Sequence, residues 1–137
     1  MIGIGLLATN LVAGAWGAVA WLNHLPSVGF WYALRIGQAF VVLQVMLGLI
    51  LVFSGREALD LHYLYGGLPL LVSLLAETIR AGAAEQELGQ IDVRSMPEEQ
   101  QREIALAIVR REMGIMAVGS LVIFGLALRA AETTPVF

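Results

Sequence analysis

Residues Ile36–Ser54 read IGQAFVVLQVMLGLILVFS, nineteen positions with no charge. At the helical rise such a run is about 28 Å long, close to the hydrocarbon thickness of a bilayer. It predicts a membrane-spanning helix, and the chain around it repeats the pattern. Ile2–Leu22 is a first span, in a stretch of 34 residues without formal charge. Leu61–Ile79 is a third, interrupted by Glu77 near its end. Met113–Leu128 is a fourth. The predicted fold class is therefore all-α and integral to the membrane, a bundle of four transmembrane helices forming one domain.

The connections fit this division. Asn23-His24-Leu25-Pro26-Ser27 joins turn formers to a proline and ends the first span. Gly55-Arg56-Glu57-Ala58-Leu59-Asp60 is a short polar turn. Residues 80–112 form the long polar segment between spans three and four, and its part Ala81–Arg94, rich in Ala and Gly, reads as surface. Ser95-Met96-Pro97-Glu98 has the form of a capping box with proline in the first turn. From Pro97 the helical pattern runs to about Ala131, roughly 50 Å, so its first part should stand outside the bilayer core. Ala18-Val19-Ala20 imitates a signal-peptidase site, but no basic residue precedes the apolar run, and a cleaved signal is not expected.

Composition narrows the function. Apolar residues make up 58% and charged residues 14%, which excludes a disordered chain and a typical soluble enzyme. With no cysteine, disulfides, thiolate metal sites and cysteine nucleophiles are excluded. A formal charge of −3 offers no footprint for nucleic acid. All basic residues are arginines, and they are unevenly placed. Arg35, Arg80, Arg94, Arg102, Arg110 and Arg111 fall on one side of the four spans, and only Arg56 and Arg129 on the other. The positive-inside rule puts the long segment in the cytoplasm and both termini outside, with a bacterial inner membrane as the expected location. Phe30-Trp31-Tyr32 and Trp21 would belt the cytoplasmic interface, and Tyr63 and Tyr65 the outer one.

Polar groups within the spans align. His62, Gly66, Pro69, Ser73, Glu77 and Arg80 share one face of the third helix. Gly37, Gln44, Gly48 and Gly55 share a face of the second, and Asn10, Ala13, Gly14, Gly17 and Trp21 one of the first. Met113, Met116, Ser120 and Ala127 form the corresponding stripe of the fourth. Such faces pack helices closely through small residues and amide or hydroxyl contacts. Pro69 frees the carbonyl of Tyr65 and can widen a space beside His62. Glu77, three residues before Arg80, is either a local ion pair or a proton or ion site. The two histidines, His24 and His62, are separated by the whole second span and cannot share one iron. No P-loop, nucleophile elbow, zinc-protease motif or carboxylate pair is present, so no catalytic residue is nominated.

The segment Ala39–Glu77, with Gln44-Val45-Met46-Leu47-Gly48, a short polar turn and Leu61-His62 opening the next helix, resembles one four-helix half of heme A synthase. The resemblance implies a four-helix scaffold and carries over one residue, His62, as a ligand to heme b or a related tetrapyrrole. The family's other heme histidine in that half has no counterpart here.

Three functional expectations follow. The first is a small non-catalytic subunit or assembly partner of a larger membrane complex, respiratory or photosynthetic. It would contact lipid and other membrane subunits or a second copy of itself. The separate alanine stripe of Ala8, Ala15 and Ala18 belongs to that expectation. The second is a heme- or quinone-binding electron-transfer protein centred on His62 and Gln44. The third is a small transporter using Glu77.

Overall fold

A computed structural model describes residues 1–56, 60–89 and 91–132. Its elements are α1 (Ile2–Leu22), α2 (Val28–Phe53), α3 (Asp60–Leu88), a 3-10 turn at Val93–Ser95, and α4 (Glu98–Glu132). All four α-helices are long and apolar enough to cross a membrane, and the described residues contain no strand. The architecture is the expected all-α bundle of four helices.

Three boundaries differ from expectation. Helix α2 begins eight residues earlier than its uncharged run, because Ser27 caps it: the Ser27 hydroxyl accepts from the Phe30 amide at 3.3 Å. Helix α3 continues to Leu88 through the Ala-rich stretch that sequence places on a loop. Alanine is the strongest helix former, and Arg111 of α4 ties the extension down through Glu87 at 2.9 Å. The capping box does not form. Ser95 closes the 3-10 turn instead, its hydroxyl donating to the Asp92 carbonyl at 2.8 Å, and α4 starts at Glu98 with Glu98 and Glu99 at its positive end.

The helices run antiparallel to their neighbours. Helix α4 packs most extensively, against α1 and α3; α2 lies on α1 and meets α3 over a short stretch. Small residues set these distances. A Cβ on Gly114 would stand 2.8 Å from the Trp21 ring, and one on Gly14 2.7 Å from Leu121. Gly17 lies against Phe30 and Ala117, too close for any side chain. Phe30 is therefore not an interfacial aromatic as expected from its neighbours Trp31 and Tyr32. It is completely buried and centres a cluster with Ala20, Leu34, Ala76, Met113, Met116 and Ala117. A second, smaller cluster of Leu6, Val41 and Ile123 lies at the opposite end of the bundle. Asn10 is buried between α1 and α2, donating to the Leu6 carbonyl at 2.9 Å and lying against Gly37.

Helices α1 and α2 end in the same way. After α1, Leu25 N–H donates to Ala20 and His24 N–H to Trp21; after α2, Arg56 N–H donates to Leu51 and Gly55 N–H to Val52. Both are Schellman caps, which need one left-handed residue. Gly55 takes that place at φ 76° without penalty. His24 takes it at φ 58°, a conformation that costs an L side chain about 1–2 kcal/mol.

Candidate functional site

The polar face of α3 points inward along its length: Pro69 and Ser73 are buried, and His62, Gly66, Glu77 and Arg80 are half-buried. It contributes to two different places, one at each end of the bundle.

At the end shared with the Phe30 cluster, Glu77 is the hub. Its Oε1 accepts from Arg35 of α2 at 2.5 Å and from Gln38 Nε2 at 2.8 Å. Its Oε2 accepts from Arg80 Nε at 2.8 Å, and Arg80 reaches Glu112 of α4 at 3.5 Å. Arg35 also donates to Gln38 at 2.6 Å. Three helices are thus joined by one continuous set of charge-assisted bonds, the strong class of hydrogen bond. The Glu77–Arg80 pair is visible in their spacing. Arg35 and Gln38 are 42 and 39 residues away in sequence. No local pattern announces them, and the sequence reading missed both. Geometrically Glu77 accepts three hydrogen bonds in a clamp.

At the other end, Gln44, His62, Tyr65, Gly66 and Pro69 line a cleft of about 330 Å³, together with Leu6 of α1 and Ala127 of α4. The structure therefore brings His62 and Gln44 to one place, with Pro69 beside them. The Nδ1 of His62 is buried and has no hydrogen-bond partner among the described residues. Glu77 is not part of this cleft. Gly66 lines the cleft, and it shares with Gly48 of α2, Gly67 of α3 and Gly125 of α4 the absence of any described atom within 4 Å of where a Cβ would stand.

The cleft's chemistry is an imidazole, a carboxamide and a phenol among aliphatic walls. That set donates and accepts hydrogen bonds, and it suits a ligand bearing carbonyl or hydroxyl oxygens. A heme iron held by two histidines does not fit. The cleft includes Gly3 and Ile4 at the start of α1, whereas His24 follows the end of α1, about 30 Å away. Among the described residues no group of three His, Asp or Glu side chains converges.

Comparison with protein-family models, with curated proteins and with solved structures gives no match to this chain.

Proposed function

We propose that the chain is a small non-catalytic membrane subunit that receives a partner's transmembrane segment in the opening between α2 and α3. The single observation that carries this reading is the unfilled space at Gly48 of α2 and at Gly66 and Gly67 of α3, where no described atom lies within 4 Å of a Cβ position; Gly66 lines the cleft with His62 and Gln44, and Gly48 is one helical turn from Gln44. Glycines weaken a helix, and in membranes they are useful where another backbone comes close. Intramembrane polar groups such as Gln44 and His62 gain from a partner that bonds to them. Exposed Ala8 and Ala15 on α1 leave a second small-residue surface for lipid or a further contact.

The test uses the available space. A Cβ at Gly48 or Gly67 has no described atom within 4 Å, so Gly48→Leu and Gly67→Leu should leave the isolated fold intact while blocking an approaching helix. Native assembly size in mild detergent should fall in these variants and stay unchanged in Gly82→Leu, an unfilled glycine on the far extension of α3. A wild type that is already a lone monomer, or an assembly unaffected by both leucines, would overturn the proposal.

A second reading is supported by the cleft itself: binding of a quinone-type head group, or of a tetrapyrrole through His62 alone, in an electron-transfer complex. A volume of about 330 Å³ lies at the small end of ligand sites and favours the single ring. His62→Ala should remove a co-purifying chromophore or quinone, and His24→Ala should leave it. Transport through Glu77 has the weakest support, because three donors already hold that carboxylate. The arginine distribution supports a cytoplasmic long segment. A cysteine at Gln86 should be shielded from an impermeant thiol reagent in intact cells, and one at Ser54 labelled.

A further inference from the structure

Where α4 leaves the bundle it passes the α1–α2 turn, and a cavity of about 450 Å³ opens between them. His24, Arg102 and Arg110 line it, over an apolar floor of Pro26, Leu106 and Met113. Among the described residues no acidic side chain lines it. The contrast with nearby arginines is informative. Arg35, Arg80 and Arg111 are all paired, with Glu77, Glu112 and Glu87. Arg102 and Arg110 have no ion pair among the described residues, although Glu98 and Glu99 stand four and three residues before Arg102, within reach on a helix. Two permanent positive charges therefore line one cavity without a close ion-pair partner among the described residues. His24 adds a third polar group, an imidazole, from the left-handed position that glycine fills after α2. A residue kept in a costly conformation, with its side chain in a basic cavity, points to a role for that side chain.

We propose that this cavity is a binding site for the phosphate headgroup of an anionic phospholipid. Guanidinium groups present planar forks of N–H donors that match phosphate oxygens. The depth is right for a headgroup: Met113 on the floor belongs to the buried core, and Trp21, Trp31 and Tyr32 mark the same level, where aromatic residues gather at membrane interfaces. The apolar floor decides between a lipid and a free phosphate ion. Leu106 is exposed at the cavity, and Leu22 and Leu25 are exposed on the adjoining turn, a surface suited to an acyl chain and useless to an inorganic ion. The site is separate from the cleft at His62, and neither requires the other.

The full chain in mild nonionic detergent is offered equal excesses of dioleoylphosphatidylglycerol and dioleoylphosphatidylcholine, and bound lipids are counted by native mass spectrometry. Wild type should retain the anionic lipid preferentially. Arg110→Gln should reduce the preference about fivefold and Arg102→Gln with Arg110→Gln about thirtyfold, the expected effect of one and two arginines near a membrane surface. Arg94→Gln, an exposed arginine outside the cavity, should leave it unchanged. Arg110→Glu gives a second reading by reversing one charge, and should lower the preference further than Arg110→Gln. Equal retention of both lipids by wild type, a preference that survives the double substitution, or an equal loss in Arg94→Gln would overturn the proposal. So would displacement of the lipid by inorganic phosphate with the same dependence on the two arginines, which would make this a phosphate-ion site.

Discussion

The two ends of the bundle are built from the same kinds of residue and packed to opposite effect. At the Phe30 end, Gly14, Gly17, Gly37, Gly114 and Gly119 all stand against a neighbouring helix, and the polar groups close into the Glu77 cluster. At the His62 end, Gly48, Gly66, Gly67 and Gly125 have no described atom within 4 Å of a Cβ position, and the histidine Nδ1 has no partner among the described residues. Closure follows from how far α2 follows α3. Arg35 and Gln38 hold the start of α2 to Glu77, and beyond Val41 the helix turns most of its surface outward: Met46 and Ile50 are 54% and 56% exposed. One end is closed by the chain itself; the other is left open.

If the Phe30 end carries the stability, Phe30→Ala should have the largest effect. It would cost about 3 kcal/mol, the low end for such truncations, since lipid is as apolar as the core and only packing is lost. Unfolding in mixed micelles of increasing denaturing detergent measures it, and a loss below about 1 kcal/mol would mean that the ends are energetically alike. Glu77→Gln should follow, at about 1–3 kcal/mol, because two guanidinium groups lose their shared anion. The same unfolding curve reports it, and a neutral result would show the cluster to be an exposed, water-screened pair. His24→Gly should act in the other direction, raising stability by about 0.5–1 kcal/mol through relief of the left-handed histidine. No gain would indicate that the imidazole's contacts offset the strain. Gly48→Leu should have the smallest effect on the isolated chain, within about 0.5 kcal/mol. A large loss would show that the His62 end closes in solution.

The contrast also separates what was legible in the sequence from what was not. Span number and order were legible, since a run such as Ile36–Ser54 has one stable environment. So was the inward face of α3, because helical spacing alone collects His62, Pro69, Ser73 and Glu77. The meeting of His62 with Gln44 was expected from their stripes, and both line one cleft. The clamp was only half legible: Arg80 is one turn from Glu77, whereas Arg35 reaches it only through the packing of α2 on α3. The early start of α2 was signalled by Ser27, a capping residue hidden beside Pro26. The left-handed turn at His24 could not be read from composition, because glycine, the usual marker, is missing. The unfilled glycines were indistinguishable from the packed ones, since both are glycines on apolar helices and only the neighbour differs.

Helix α4 is one unbroken helix from Glu98 to Glu132, packed in the bundle over its second half and projecting beyond it over its first. Its contact with α1 and α3 is centred near Ala117, which packs on Gly17, with Gly119 against Ala76. From there about 30 Å of helix extends to Glu98 and about 20 Å to Ala131, one wall of the cleft. If the helix tilts as a rigid body about that contact, a sideways push at Glu98 moves that wall in the opposite direction by roughly two-thirds as much, against the Arg111–Glu87 bond. Nitroxide labels at Leu43 and Leu128, compared with and without a bulky binder attached at Glu98, would register the swing. An unchanged separation would mean that the helix bends before it tilts.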